Sequence, residues 1–130
     1  MFIRYNNERI YYHANPIIRF IERKRVEVII KLLQPLQNLD RILAAGCGEG
    51  YIENKIPIGK ITLVDLSREA IRRAKSNSNR LKDKNFIVAD LENLPIPQSF
   101  FDKIECSEVI EHVYSPRALL SELYRILKPD

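Results

Sequence analysis

The apolar positions of this chain change rhythm at Arg41. Before it, residues 16–33 (PIIRFIERKRVEVIIKLL) place Ile18, Ile21, Ile29 and Leu32 at helical spacing, and Pro16 suits a first helical turn. The charged patch ERKR interrupts the stripe and leaves room for a kink or for two helices. Residues 34–40, with Pro35, read as a connector. After it the apolar runs are short. RILAA (41–45), KITLVD (60–65), NFIVAD (85–90) and DKIECS (102–107) read as four strands. A short helix is expected near 51–55, broken by Pro57 and Gly59. Ser67 is a good N-cap for REAIRRAKSNSNRL. Ser115 and Pro116 open a last helix, with Leu119, Leu120, Leu123, Tyr124, Ile126 and Leu127 expected on its buried side.

Short apolar strands that alternate with helices imply an α/β protein with a parallel sheet covered on both faces. Right-handed crossovers favour a doubly wound sheet. The chain divides into an N-terminal helical segment, 1–40, and an α/β core, 41–130, packed as a single domain. In such sheets ligands lie at the carboxyl ends of the strands.

Composition narrows the class. The apolar content is that of a globular protein, and no apolar run approaches the roughly 20 residues of a membrane span. The first residues, MFIRYNNERIYYH, lack the pattern of a signal peptide. Cys47 and Cys106 stand far apart, which argues against a disulfide scaffold and a zinc site, and a reducing cytoplasm is the expected location. The net charge is +4. Its basic excess lies in residues 1–41, with eight Lys/Arg against four Asp/Glu, while residues 42–130 carry thirteen of each. Solvated helix faces account for this better than a nucleic-acid surface does.

The chain holds four glycines, and Gly46, Gly48 and Gly50 fall within LAAGCGEG at the end of the first strand. Glycine carries an entropic cost, so a cluster implies a sharp turn or a close approach to the backbone. The second strand ends in Asp65 and the third in Asp90. A glycine turn after strand one and a carboxylate ending strand two form a ribose-binding arrangement. Tyr51 stands where the dinucleotide fingerprint G-x-G-x-x-G places its last glycine, which speaks against a nicotinamide-dependent oxidoreductase. There is no phosphate-binding G-x-x-x-x-G-K-[ST] loop.

ILAAGCGEG, ITLVDLS, FIVADLENLPIPQSFFDKIECSEVIEHV and ELYRILKPD together resemble class I, Rossmann-like S-adenosylmethionine-dependent methyltransferases, from about Ile42 to Asp130. The resemblance implies methyl transfer from S-adenosyl-L-methionine, leaving S-adenosyl-L-homocysteine. The acceptor is not identified; a small molecule is expected, and nucleic acid is not. Gly46, Cys47, Gly48 and Gly50 would pack against the methionine and ribose. Asp65 would bind the ribose hydroxyls, with Leu66 against the adenine. Asp90 would meet the adenine amino group, flanked by the backbone of Leu91. Ser107 and Glu108 would line the methionine end. His112 could serve as a base toward the acceptor, or pack at a helix start. His13, with Tyr11 and Tyr12, could lie on a flap over the cofactor or pack on the surface.

Two features depart from the family. An acidic residue usually stands two before the first glycine and helps hold the methionine amino end; this chain has Ala44 there. The family's sheet usually continues past LKPGG, whereas this sequence stops at LKPD. That leaves strand order 3-2-1-4, with strand four as an open edge for a second copy or a partner chain. A truncated form, a natural short form and one half of an assembly all fit. A cofactor-binding module without independent activity is therefore the rival to an enzyme.

Overall fold

The computed structural model describes residues 14–78, 83–107 and 109–130. Four strands, β1 (Arg41–Ala45), β2 (Lys60–Asp65), β3 (Lys84–Val88) and β4 (Lys103–Glu105), form one sheet in the order β3-β2-β1-β4. Every pairing is parallel, as the buried apolar runs required. Among the described residues the α-helices are α1 (Pro16–Leu32), α2 (Arg68–Asn77) and α3 (Pro116–Ile126). Pro16, Ser67 and Ser115 stand at their starts as expected, and Asn15 adds a cap that was not expected. Asn15 Oδ1 accepts from the Ile17 amide, Ser67 Oγ from Ala70, and Ser115 Oγ from Ala118.

Strand alternation divides the core between the two faces of the sheet. Leu43, Ala45 and Val64 face one cluster, closed by Phe101, Leu119 and Ile126. Ile42, Ala44 and Leu63 face the other, closed by Leu33, Ile71 and Ala74. Thus α3 covers one face, and α2 with the end of α1 covers the other. Doubly wound architecture follows. The tail of α1 is also tied to β4: the Lys103 ammonium donates to the Leu33 and Pro35 carbonyls.

Several boundaries and faces differ from expectation. The turn after the glycines is a three-residue 3-10 turn, Glu53–Lys55, rather than an α-helix. The third strand ends at Val88, because the chain turns at Asp90, where the Asn93 amide bonds the Asp90 carbonyl. The fourth is three residues long. On α3, Leu120 and Tyr124 are 55% and 84% exposed, because only Leu119, Leu123 and Ile126 face the sheet. Helix α1 runs without a break, and its Ile18, Ile21 and Leu32 are exposed while Val26 is buried. The expected extension of α2 runs into 79–82, outside the described residues.

Beyond α3 the chain returns to the sheet. Phe101 and Leu127 form an isolated parallel bridge, and the Lys128 amide donates to the Phe101 carbonyl. The outer side of the strand leading into β4 is therefore already engaged at its start. Asp102 locks this corner. Its carboxylate accepts from the Arg41 amide at 2.8 Å and from Lys128 Nζ at 2.7 Å. The Lys128 hydrogen bond, then the Arg41 amide, hold its pKa below the usual carboxylate value.

A depressed carboxylate adds stability above its unfolded pKa, about 3.9, and loses it as pH falls through the folded value. Asp102→Asn should therefore flatten part of the acid destabilisation. Urea unfolding at pH 7 and pH 3 checks this; an unchanged difference between the two pH values would reject the corner lock.

Candidate active site at the carboxyl ends of the strands

The three clustered glycines all adopt positive φ, at +73° (Gly46), +54° (Gly48) and +74° (Gly50), so a side chain at any of them is strained. Their surroundings differ. A Cβ on Gly46 would come within 2.4 Å of Val109 Cγ2, so this glycine lets the segment after β4 close on the loop. A Cβ on Gly50 would meet Leu63 and Ala74 at 3.2 and 3.3 Å, where the loop packs on β2 and α2. A Cβ on Gly48 would meet nothing within 4 Å. Gly48 thus presents bare backbone to open space, as a close-approaching ligand requires. Glu49 fixes the loop from outside through Arg73 of α2, at 2.7 Å.

Asp65 faces this loop from the end of β2. Its Oδ2 accepts from the Gly48 amide at 2.9 Å, and its Oδ1 from the Ser67 amide at 2.8 Å. An ionised carboxylate has about four acceptor sites. The two amides take one site on each oxygen and fix the group's orientation, which leaves one on each for a pair of hydroxyls. Leu66, next along, is 65% exposed, an apolar side chain held at the mouth of the site. Asp90 lies in the loop after β3, where its Oδ1 accepts from the Glu92 amide at 2.9 Å. Leu91 turns its side chain into the core, so only its backbone is offered outward. That loop is anchored from α3: Glu122 accepts from the Leu94 amide, and Arg125 donates to the Ile96 and Leu94 carbonyls.

Past β4, Cys106 is exposed and Ser107 half-buried, while Cys47 is buried in the loop opposite; both thiols are free. Burial, then the nearby carboxylates of Glu53 and Asp65, push the Cys47 thiol up, so it stays protonated. Burial raises Cys106 to about 11. His112 closes a 3-10 turn, Ile110–His112, exposed to solvent, with Nε2 3.7 Å from Glu111 Oε1. Glu108, His13, Tyr11 and Tyr12 lie outside the described residues.

Two buried acids, Glu53 in the 3-10 turn and Glu105 at the end of β4, were missed by sequence reasoning. Glu53 is 1% exposed and Glu105 7%. Glu105 pairs in register with Ala44 across the β1–β4 ladder. Burial first, then the charge of Glu105, raises Glu53 to about 8. A charged residue in the apolar run of β4 was the one available signal.

A family model described as a methyltransferase domain matches residues 43–130. An uncharacterized methyltransferase of Schizosaccharomyces pombe is 30% identical over 110 residues, covering 75% of this chain and 40% of that protein. A thiol S-methyltransferase of Rattus norvegicus is 34% identical over 116 residues, covering 84% of this chain and 48% of that one. The crystal structure of the YcgJ protein of Bacillus subtilis superposes with a TM-score of 0.78 at 26% identity, over 83% of this chain and 47% of that one. The chain thus spans less than half the length of these relatives. With the parallel 3-2-1-4 sheet, the glycine loop and this match over the whole core, the chain belongs to the class I, Rossmann-like S-adenosylmethionine-dependent methyltransferase family.

Proposed function

We propose that this chain binds S-adenosyl-L-methionine across the ends of β1, β2 and β3 and forms the cofactor half of a methyltransferase acting on a small-molecule acceptor. The observation that carries the reading is the pairing of Asp65 with Gly48: an oriented carboxylate beside bare backbone. The residues present fit the cofactor. Two acceptor sites on Asp65 suit the ribose hydroxyls. Leu66 offers an exposed apolar contact for the adenine. Asp90 and the Leu91 backbone, in the loop after β3, would meet the adenine edge.

When bound, the cofactor supplies an electrophilic methyl on a sulfonium and leaves as S-adenosyl-L-homocysteine. Transfer of that methyl is an in-line displacement, so the chain's part is alignment and exclusion of water. The glycine loop would hold the methionine, and Asp65 the ribose. Val109, in the segment after β4, closes on Gly46, which suits its neighbours Ser107 and Glu108 to the methionine end and the substrate entrance, and His112 to the acceptor. The edge of β4 beyond Phe101 is the side on which a further strand, from a second copy or a partner, would add. Among the described residues no helix is long and apolar enough to cross a membrane. The two free thiols support a reducing cytoplasm.

S-adenosyl-L-homocysteine should raise the melting temperature of this chain, and NAD should not. Asp65→Ala should abolish that shift; full retention in the variant would remove Asp65 from the site. His112→Ala should slow methyl transfer to an acceptor found by panel screening by about 100-fold or more if the imidazole is the base. Cofactor affinity in that variant should stay within about twofold, since general-base work does not contribute to binding; equal turnover would assign His112 to packing.

A further inference from the structure

The family's methionine-anchoring carboxylate belongs on β1 at the position of Ala44, and here that position is a fully buried alanine. Its neighbour across the ladder is Glu105. In a parallel pair, registered residues sit at the same height and on the same face of the sheet. Ile104 packs toward the α3 face, so Glu105 turns to the opposite face, where Ala44 and Cys47 lie. Glu53 reaches the same region from the 3-10 turn below the glycine loop. It is fully buried, and among the described residues its Oε2 has no hydrogen-bond partner.

Such an arrangement is costly without a ligand. A buried carboxylate oxygen with no donor loses its hydration uncompensated. A second carboxylate nearby adds like-charge repulsion. The groups that bear on Glu53 from the surrounding elements are Glu105 on β4, Lys84 on β3 and Asp65 on β2. Lys84 relieves it only in part, because its ammonium donates its hydrogen bonds to Asn54 Oδ1 at 2.6 Å and to Ser78 Oγ at 3.3 Å rather than to Glu53. The chain therefore holds two buried acids beside the glycine loop, and one oxygen of Glu53 has no donor among the described residues.

We infer that Glu105, backed by Glu53, replaces the carboxylate missing at Ala44 and receives the ammonium of the cofactor's methionine moiety. The acid has moved one strand across the sheet, from β1 to β4, and a second acid supports it from the turn. This rests on the cofactor reading given above and names the residues that hold one end of that ligand. An arriving ammonium would fill the lone pairs, neutralise the repulsion and displace the proton that an isolated buried pair retains.

Calorimetric binding of S-adenosyl-L-homocysteine and of 5′-methylthioadenosine, which lacks the amino-acid end, tests this. Glu105→Gln and Glu53→Gln should each weaken S-adenosyl-L-homocysteine about 10- to 100-fold, the worth of a charged hydrogen bond. Methylthioadenosine should be unaffected. Ala44→Asp placed in the Glu105→Ala background should recover most of the loss. In wild type, binding at pH 7 should release up to about one proton, read from two buffers of different ionisation enthalpy, and Glu53→Gln should suppress that release. A raised carboxylate destabilises the unliganded fold as pH climbs from about 4.3 toward the folded value. Unliganded Glu53→Gln should therefore be the more stable protein at pH 8 even though it binds more weakly. Unchanged S-adenosyl-L-homocysteine affinity in both variants, or equal loss of both ligands, overturns the inference and leaves the cofactor reading standing. Failure of wild type to bind either ligand overturns both.

Discussion

The hydrogen bond from the Gly48 amide to Asp65 is the constraint on which the rest of this structure turns. It joins the loop after β1 to the end of β2, two points that strand pairing alone leaves unconnected. Two further bonds stiffen the junction, from the Gly46 and Cys47 amides to the Val64 carbonyl. The loop is thereby drawn onto β2 with its amides pointing inward. A carboxylate that accepts backbone amides is both a structural tie and an oriented acceptor. The same atom pair therefore sets both the loop's shape and the carboxylate's orientation. No glycine loop with a different residue at 65 would hold this geometry without another acceptor for the Gly48 amide.

Packing explains why the loop can sit where it does. Small residues crowd its base: Ala44 and Ala45 on β1, and Ala74 on α2. Gly50 fits between Leu63 and Ala74, and Gly46 fits under Val109. A loop that close to the sheet tolerates no side chain on its inner side. The apolar layers on either face then act as a rigid base. The Glu122 and Arg125 bonds to the loop after β3 extend that rigidity to Asp90.

The architecture was legible because local signals agreed with tertiary need. RILAA and KITLVD are strands buried at every position apart from their charged ends, since a parallel sheet covered on both faces demands apolar runs there. Ser67 and Ser115 cap their helices for a purely local reason, an orphan amide within reach of a hydroxyl. Asp65 and the glycines were legible for the same kind of reason, because strand ends and turns are written in short stretches. What failed was tertiary. Leu120 and Tyr124 lie on the helix but off its contact stripe, and periodicity over eleven residues does not say how wide that stripe is. Asp90 falls two residues past its strand because the Asx-type turn with Glu92 competes with the ladder. The roles of Ser107, Glu108 and His112 depend on a ligand and on the acceptor, which no local pattern encodes.

The buried acids were illegible for the deepest reason. Glu53 and Glu105 are far apart in sequence, and only the β1–β4 register places one of them opposite Ala44. Taken singly, Ala44 looks like a lost anchor and Glu105 like a misplaced charge. Taken together across one ladder rung they are complementary: the alanine leaves room, and the glutamate supplies the oxygen. A sheet makes such exchanges easy, because neighbouring strands present side chains to the same face at nearly the same height. What must be preserved near a cationic ligand is the location of negative charge, and the strand that carries it is free to change. The same logic accounts for tolerating Glu53 in a closed site, since a strained unliganded state raises the gain on binding.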